Sequence, residues 1–264
     1  SQGTGDIDFG PEALVDLHDL HLRWYDYWLK DFETGVMDDP PVTVFTMGEN
    51  RWQTLEDWPP PNANYVRWYL HSDGKANTLN GDGSLSTVPP GDEPTDSYLY
   101  DPDDPVPTLG GANLSIPLGV QDQSPVENRQ DVLVFTSDPM ERPLEVTGPI
   151  KVHLWAASTT PDTDFTAKLV DVRPDGYAQN LQDGIIRARY RDSTTTPTLI
   201  EADRVYEYTI DLWATSNVFL PGHRIRLEIS SSNFPRFDRN PNTGARFGDD
   251  AVMQTANQTV HHRG

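Results

Sequence analysis

β-Structure is indicated first by the segment Asp162-Thr-Asp-Phe-Thr-Ala-Lys-Leu-Val-Asp-Val-Arg-Pro-Asp-Gly-Tyr177, which continues to Leu181-Gln-Asp-Gly-Ile-Ile-Arg-Ala-Arg-Tyr-Arg191. Short apolar and β-branched runs flank the pair Asp175-Gly176, a dipeptide typical of tight turns between antiparallel strands. The pattern predicts two strands joined by that turn, followed by a third strand. The segment therefore predicts structure and carries no evident chemistry.

Strands and turns alternate through the rest of the chain after Tyr65. The eight predicted strands are Val66–His71, Asp96–Tyr100, Asp131–Thr136, Ile150–Ala157, Phe165–Val172, Ile185–Arg191, Val205–Trp213 and Arg224–Ser231. Alternation of apolar and polar residues is clearest in the fourth and eighth of these, which is typical of strands with one face in a core. With no second helix in view, the pattern predicts a mainly β fold, a two-sheet sandwich for which a jelly roll is a natural topology.

One convincing helix is predicted, from Pro11 to about Lys30. Pro11 suits the first turn of a helix, where its missing N–H costs no hydrogen bond. A largely apolar stripe, called the helix stripe below, follows at three- and four-residue spacing and consists of Leu14, Leu17, His21, Trp24 and Trp28. Because a stripe with two tryptophans needs a large partner surface, we infer that it packs on a body mostly outside this sequence.

The chain divides in two at a proline-rich segment. Val42–Met47 is predicted as a buried strand, whereas Trp52–Pro61 ends in three prolines and predicts irregular structure. We therefore expect one unit at residues 1–64 and a β domain at residues 65–264.

Composition narrows the classes of function. The chain of 264 residues carries 20 Lys+Arg against 41 Asp+Glu, a formal charge of −21, which argues against nucleic acid or an anionic membrane as a partner. Without cysteine there is no disulfide, no thiolate nucleophile and no cysteine zinc site. No signal peptide or membrane-spanning run is visible, so we expect a cytoplasmic protein, although secreted bacterial domains also lack cysteine.

Several segments resemble the cocaine esterase / X-Pro dipeptidyl-peptidase family of serine hydrolases. The opening segment is one of them. Others are Val44-Phe-Thr-Met-Gly-Glu-Asn-Arg-Trp52 with Asp57-Trp-Pro59, Tyr100-Asp-Pro-Asp-Asp-Pro-Val-Pro-Thr-Leu-Gly-Gly111, Ala214-Thr-Ser-Asn-Val-Phe-Leu-Pro-Gly-His-Arg-Ile225 and Ser230-Ser-Ser-Asn-Phe-Pro-Arg-Phe-Asp-Arg-Asn240. The resemblance implies a galactose-binding-like jelly roll, preceded by the last helix and strand of an α/β-hydrolase domain.

Catalysis in such enzymes uses a Ser-Asp-His triad, with the serine in a Gly-x-Ser-x-Gly elbow that this sequence lacks. In the family the histidine shortly precedes a Phe-Gly pair, here Phe9-Gly10, and no histidine lies among the eight residues before Phe9. We therefore expect all three triad positions upstream of the chain, and no hydrolysis by the chain alone. At the other end, His262-Arg263-Gly264 resembles the family's penultimate turn, which implies that the closing strand is missing.

The resemblance implies a role in the intact enzyme. The segment after the paired glycines reaches toward the active-site mouth in such hydrolases, so Leu114, Ser115 and Ile116 are candidate rim residues of the substrate pocket; a plain connecting loop is the alternative. The implied partners are an upstream α/β-hydrolase domain and a small ester or amide substrate. No cofactor and no metal are expected, and a homo-oligomer stays open.

Several histidines and aspartates are candidates for metal binding or for ion pairs. His18 and His21 lie three apart on the helix but have no third metal ligand, so surface packing is expected; His223 is expected to be a partly buried strand-entry residue, and His261-His262 turn sequence. Three aspartates cluster in one loop, Asp101, Asp103 and Asp104. They are expected to cap turns, and a cation site is the alternative. Cross-strand ion pairs are expected between Asp162, Asp164 and Asp171 and the cations Arg173, Arg187 or Arg189.

A free-standing carbohydrate- or ligand-binding jelly roll is the competing hypothesis. The aromatic residues that could form its stacking platform are Trp155, Trp213, Phe219, Phe234 and Phe237. Their spacing along strands fits burial in a core better. A third hypothesis, an enzyme with an unrelated site, requires a nucleophile–base pair that the sequence does not indicate.

Overall fold

The computed structural model describes residues 3–114, 117–246, 248–249 and 251–263. Within these ranges the strands are β1 (Gly3–Thr4), β2 (Ile7–Asp8), β3 (Val42–Thr46), β4 (Arg51–Leu55), β5 (Tyr69–His71), β6 (Ser84–Ser86), β7 (Asp96–Tyr100), β8 (Leu133–Thr136), β9 (Leu144–Ser158), β10 (Asp164–Val172), β11 (Ala178–Arg187), β12 (Tyr206–Phe219), β13 (Arg224–Ser230) and β14 (Ala256–His261). The helices are α1 (Leu17–Lys30) and α2 (Ser124–Glu127), with 3-10 turns at Pro11–Ala13, Val36–Asp38 and Ala188–Tyr190.

Two sheets form the body of the molecule. The larger has the strand order β11-β10-β13-β8-β6-β5 and the smaller the order β12-β9-β14-β7; two-stranded pairs, β1–β2 and β3–β4, stand outside them. Pairing is antiparallel except for one parallel contact between β6 and β8. The chain is therefore mainly β with one long N-terminal helix, as the sequence predicted.

The core lies between the two large sheets. Phe165 on β10 and Tyr208 on β12 are fully buried, and their ring centroids lie 4.8 Å apart. Leu227 and Ile229 on β13 join the same apolar cluster, so the alternation predicted for this strand is confirmed. Gly184 on β11 approaches so closely that a Cβ atom would clash with the Asp211 carbonyl oxygen on β12.

Several predicted boundaries are wrong. β10 and β11 form the expected hairpin across Asp175-Gly176, but the two strands predicted after that turn are one continuous strand, Ala178–Arg187, followed by a 3-10 turn. The sequence also missed β6 and β14, so His261 ends a strand and does not lie in a turn. Trp52 lies in β4, within a segment that was expected to be irregular.

The helix starts later than predicted. Asp16 caps α1, accepting hydrogen bonds from the N–H groups of His18 and Asp19, so the helix begins at Leu17. Pro11 lies in a separate 3-10 turn. No helix among the described residues is both long and apolar enough to cross a membrane.

The β3–β4 hairpin attaches to the edge of the smaller sheet. Met47 N–H donates to the Ser216 carbonyl at 3.0 Å, and Val218 N–H donates to the Met47 carbonyl at 2.9 Å. Gln53 Nε2 and Arg51 reach Glu145 at 2.9 and 3.0 Å. The hairpin is thus attached to β12 by one backbone bridge and to β9 by side-chain contacts to Glu145.

Candidate functional site

A strap, defined here as residues 101–132, covers the outer face of the larger sheet. Val126 and Val132 pack with Val134 of β8 in an apolar cluster separate from the main core. Because side chains alternate along β13, the residues between its core positions point to this outer face. The strap therefore lies on a layer of side chains that includes charged groups.

Buried charges lie beneath the strap. Arg226 Nη1 donates to Glu127 Oε2 at 2.6 Å, and Lys168 Nζ lies 3.1 Å from Glu228 Oε2 and donates to Gln123 Oε1 at 2.6 Å. Burial and the nearby Glu228 carboxylate raise the pKa of Glu127 to about 7, although Arg226 opposes the shift. The network fixes α2 and the strap to the sheet.

The strap carries the loop predicted to line a substrate pocket. Its base is closed by two backbone hydrogen bonds, from Gly111 N to Gly119 O at 2.6 Å and from Gly119 N to Gly111 O at 3.0 Å. Both glycines have positive φ, 88° and 84°, a conformation that favours glycine. Leu114 at the tip is 98% exposed. Ser115 and Ile116 lie outside the described residues.

The loop base is anchored on both sides. Asp6 N–H donates to the Val120 carbonyl at 2.7 Å, and Val120 N–H donates to the Thr4 carbonyl at 3.2 Å, so the N-terminal segment runs alongside it. On the other side Gln121 N–H donates to Asn180 Oδ1 at 2.8 Å. A fixed base with an exposed apolar tip can present a wall to a neighbouring body.

The helix stripe is exposed. No residue of α1 is buried, and Trp24 and Trp28 are 47% and 54% exposed. Their rings lie 5.9 Å apart on one side of the helix. The helix is held to the following turn by polar contacts, such as the 2.9 Å ion pair between Arg23 and Asp39. The stripe is thus unpacked within the described chain, as predicted.

One constellation that the sequence did not indicate resembles a nucleophile with a base. His71 Nε2 lies 3.0 Å from Ser86 Oγ, and His71 Nδ1 lies 2.8 Å from Glu93 Oε1. Burial alone would raise the pKa of Glu93, but hydrogen bonds from His71 and the Ser72 N–H lower it. These residues share no motif: pairing of β5 with β6 brings His71 to Ser86, and Glu93 comes from the segment between β6 and β7.

The geometry argues against catalysis by this group. His71 Nε2 also lies 2.9 Å from the Val88 carbonyl, which can only accept, and Glu93 can only accept at Nδ1. The Val88 carbonyl therefore competes with Ser86 Oγ for the same ring nitrogen. The three residues clamp the edge of the sheet.

Two predicted ion pairs are confirmed and lie deep in the fold. Asp162 pairs with Arg189 at 2.8 Å, and Asp164 pairs with Arg187 at 2.9 Å. Both carboxylates are buried, and burial raises the pKa of Asp164 despite its guanidinium partner. The sequence located these pairs because the residues flank a single hairpin.

The pairing predicted for Asp171 is wrong. Its Oδ1 lies 2.8 Å from Nδ1 of His223, a partly buried residue at the entry to β13, while Arg173 donates to Gln179. Burial raises the pKa of Asp171 against the opposing effect of His223. The histidine comes from the neighbouring strand β13, a pairing that sequence spacing could not reveal.

The loop aspartates act as turn caps and ion-pair partners. Asp101 Oδ1 accepts the Asp103 N–H at 2.9 Å, and Asp104 lies 3.2 Å from Arg129. Within the described part of the chain, no group of three His, Asp or Glu side chains is arranged to hold a metal ion.

The aromatic residues do not all enter the core. Phe219 is fully buried, as predicted, but Trp213 is 73% exposed and Phe234 is 40% exposed. Trp213 lies on the exposed face of β12, at a β-bulge between Asp211 and Ala214, with a φ of 63° and its N–H donating to Asp211 Oδ1 at 2.8 Å.

Comparison with known proteins places this arrangement in a family. Residues 34–264 match the model of the X-Pro dipeptidyl-peptidase C-terminal non-catalytic domain. Cocaine esterase of Rhodococcus sp. (strain MB1 Bresler) is 46% identical over 98% of this chain and 46% of its own length. A putative serine esterase of Mycobacterium bovis is 33% identical over 82% of this chain and 36% of its own.

Two solved structures share the fold of this chain. An aminopeptidase from a marine sediment Thaumarchaeota archaeon superposes with a TM-score of 0.83 and 32% identity, covering all of this chain and 45% of that one. An α-amino acid ester hydrolase gives a TM-score of 0.77 and 31% identity, covering 92% of this chain and 42% of that one. The chain spans less than half the length of these relatives. It belongs to the family of X-Pro dipeptidyl-peptidase C-terminal non-catalytic domains, found in cocaine-esterase-type hydrolases.

Proposed function

We propose that the chain is the C-terminal part of a serine hydrolase that cleaves ester or amide bonds. In this proposal residues 1–64 are the tail of an α/β-hydrolase domain, and residues 65–264 are a jelly roll that buttresses it and shapes its substrate pocket. The named activities of the relatives, esterase and X-Pro dipeptidyl-peptidase, support the reaction class. The family's description as non-catalytic supports the division of labour.

The helix stripe is the observation that carries the proposal. Burial of apolar surface contributes about 25 cal/mol per Å², and two neighbouring tryptophans left about half exposed forgo that contribution unless a partner covers them. A contiguous apolar patch rimmed by polar residues marks an interaction site. An upstream catalytic domain is the occupant that the relatives' greater length suggests.

This division of labour assigns the chemistry to the upstream domain. Its serine would attack the acyl carbon, its histidine would carry the proton, and its aspartate would orient the histidine. The chain would hold the catalytic domain in position, and its loop at residues 112–118 would contribute an apolar wall to the substrate pocket. Leu114, Ser115 and Ile116 are the proposed rim residues.

The docking role is tested with a fluorophosphonate probe, which labels activated serines. The chain alone is expected to remain unlabelled. In the full-length hydrolase, a Trp24→Ser/Trp28→Ser double variant is expected to lower the labelling rate at least about tenfold, because a 1.4 kcal/mol loss of docking energy changes an equilibrium tenfold. Leu99→Ser, at an exposed site on β7, is the matched control. Labelling of a serine within the isolated chain would contradict the proposal.

The rim role has its own test. Leu114→Ser is expected to leave the free energy of unfolding within about 0.5 kcal/mol of the original, because the side chain is almost fully exposed. In the full-length hydrolase it should raise KM several-fold with kcat little changed, the signature of lost uniform binding. Val88→Ser, also in an exposed position, is the control. An unchanged KM for ester substrates of every acyl size would rule out the rim role.

One observation favours a second candidate function, that of a carbohydrate-binding module. Trp213 is held outward at a bulge with positive φ, and an exposed, strained aromatic suits stacking on a ligand. The helix stripe has no use in such a module. The hydrolase proposal accounts for the helix stripe, and only Trp213 favours the module.

A further inference from the structure

A cavity of about 300 Å³ lies at the end of β11, beside Arg187 and Arg189. Its walls include four arginines, Arg187, Arg189, Arg239 and Arg246, one carboxylate residue, Asp238, and the apolar residues Phe234 and Met253. The chain has only 20 Lys+Arg among 264 residues and a formal charge of −21. Four guanidinium groups around one cavity therefore form a local exception to an acidic surface.

Two of these arginines are fixed from behind. Arg187 donates through Nε and Nη2 to Asp164 and also reaches Asp238 at 3.0 Å. Arg189 donates through Nε to Asp162 and through Nη2 to the Ala245 carbonyl. These hydrogen bonds hold each guanidinium group in one orientation. They involve Nε and Nη2 and do not involve Nη1.

The other two arginines have no carboxylate among the described residues in close contact with their guanidinium groups. Arg239 lies over the ring of Phe234, with its guanidinium carbon 5.4 Å from the centroid, and donates to the Pro102 carbonyl at 2.8 Å. Its nearest carboxylate, Asp103, is 3.9 Å away and 76% exposed. Arg246 forms no ion pair with any residue that the structure describes. The four guanidinium groups thus have three carboxylates in close contact, Asp162, Asp164 and Asp238, and a fourth, Asp103, at the longer distance.

Buried amides make the floor of the cavity rigid. Asn240 Nδ2 donates to Asp162 and Asp164 at 2.9 and 2.8 Å, and Asn240 Oδ1 accepts the Asn242 N–H at 2.9 Å. Both asparagines are almost fully buried. Tyr100 adds a hydrogen bond to the Asn240 carbonyl at 3.2 Å. The walls therefore need little reorganisation to receive a ligand.

We propose that this cavity binds a small organic anion with a carboxylate or phosphate group. Guanidinium groups pair with both anions through two parallel N–H bonds, and Arg is preferred over Lys where such planar recognition matters. Phe234 and Met253 supply an apolar surface for the rest of the ligand. The site lies in the β domain itself, so the inference is independent of the proposed hydrolase role.

Calorimetric titration of the purified chain tests the proposal, with inorganic phosphate and phenylacetate as separate probes at ionic strength matched with chloride. At least one probe should bind, and Arg239→Gln and Arg246→Gln should each weaken it about tenfold, as expected for one charged hydrogen-bond pair. Arg204→Gln, which removes an exposed pair with Glu201 outside the cavity, should leave binding unchanged.

The outcomes are distinct. Binding of phosphate alone identifies an oxyanion site, and tighter binding of phenylacetate identifies a site that also uses the apolar wall. Higher ionic strength should weaken either, because screening reduces the attraction of partly exposed charges. The proposal is overturned if neither probe binds above matched chloride, or if Arg239→Gln and Arg246→Gln, shown to be folded by circular dichroism, bind as tightly as the unmodified chain.

Discussion

Replacing Asp96 with Asn is expected to lower the free energy of unfolding by about 3–5 kcal/mol, the cost of breaking a buried ion pair. Asp96 and His262 are both fully buried, with Oδ2 and Nε2 3.0 Å apart. Asp96 Oδ1 also accepts hydrogen bonds from Ser72 Oγ and the Ala76 N–H, and His262 Nδ1 faces the Leu70 carbonyl. The pair therefore joins β5, β7 and the segment after β14.

The same pair gives a pH dependence of definite sign. Burial opposes the charge of His262, but the hydrogen bond and charge of Asp96 raise its pKa above the ordinary value of 6.5. A histidine whose pKa is raised in the folded state stabilises the fold through its protonated form. This contribution is fully present below pH 6.5 and is lost as the pH rises through the pKa of the folded state. Urea unfolding should show a stability difference between the unmodified chain and His262→Gln that shrinks above pH 6.5.

His153→Gln provides the control for this measurement, because His153 is half-exposed on the outer face of the smaller sheet. Its effect on unfolding should be small at every pH. A stability difference for His262→Gln that stays constant from pH 5 to 9 would show that His262 is not charged in the folded state.

Arg226→Met is expected to cost about 3–5 kcal/mol at pH 8, because it leaves the buried Glu127 carboxylate without its cation. Glu127→Gln should cost less than about 1.5 kcal/mol, since a neutral amide can still accept from Arg226 and its Nε2 can donate toward Glu228. The exposed pair between Arg204 and Glu201 offers Arg204→Met as the control. Equal losses for Arg226→Met and Arg204→Met in denaturant unfolding would contradict the structural role.

Glu127 adds a second pH effect in a different window. Its folded pKa of about 7 lies above the ordinary 4.5, so the folded state binds the proton more tightly. Stability from this group is present below pH 4.5 and declines as pH rises toward 7. Glu127→Gln should remove that decline while leaving the change above pH 6.5 due to His262 in place.

Local patterns predicted the parts of the fold that depend on neighbours in sequence. The β10–β11 hairpin followed from Asp175-Gly176, and the pairs of Asp162 and Asp164 followed from their positions on it. Trp213 faces outward because the alternation of β12 buries Leu212 and exposes the residues on either side of it, so the core position expected for Trp213 was wrong. A strand as short as Ser84–Ser86 has no periodicity to detect.

The candidate site was predictable in part. The exposed helix stripe followed from spacing and residue type, whereas the loop was located only through family resemblance, since Leu114 has no distinguishing local signal. The predicted strand began at Ile185, and the sequence did not indicate that the backbone of β12 passes so close to Gly184 that a side chain is excluded there. The clamp of Ser86, His71 and Glu93 and the arginine cavity arise from long-range contacts, which a single sequence does not encode as a motif.

The hairpin on the edge of β12 has a consequence for how the protein behaves at high concentration. An open edge strand offers unpaired N–H and C=O groups to any other chain, and it is a common start of amyloid-like addition. Met47 pairs with two of these groups, the Ser216 carbonyl and the Val218 N–H, so the edge is blocked at this point. Loosening this hairpin would free two backbone groups on the edge of β12 for pairing with another chain, so we expect the β3–β4 segment to lower the tendency of the protein to self-associate.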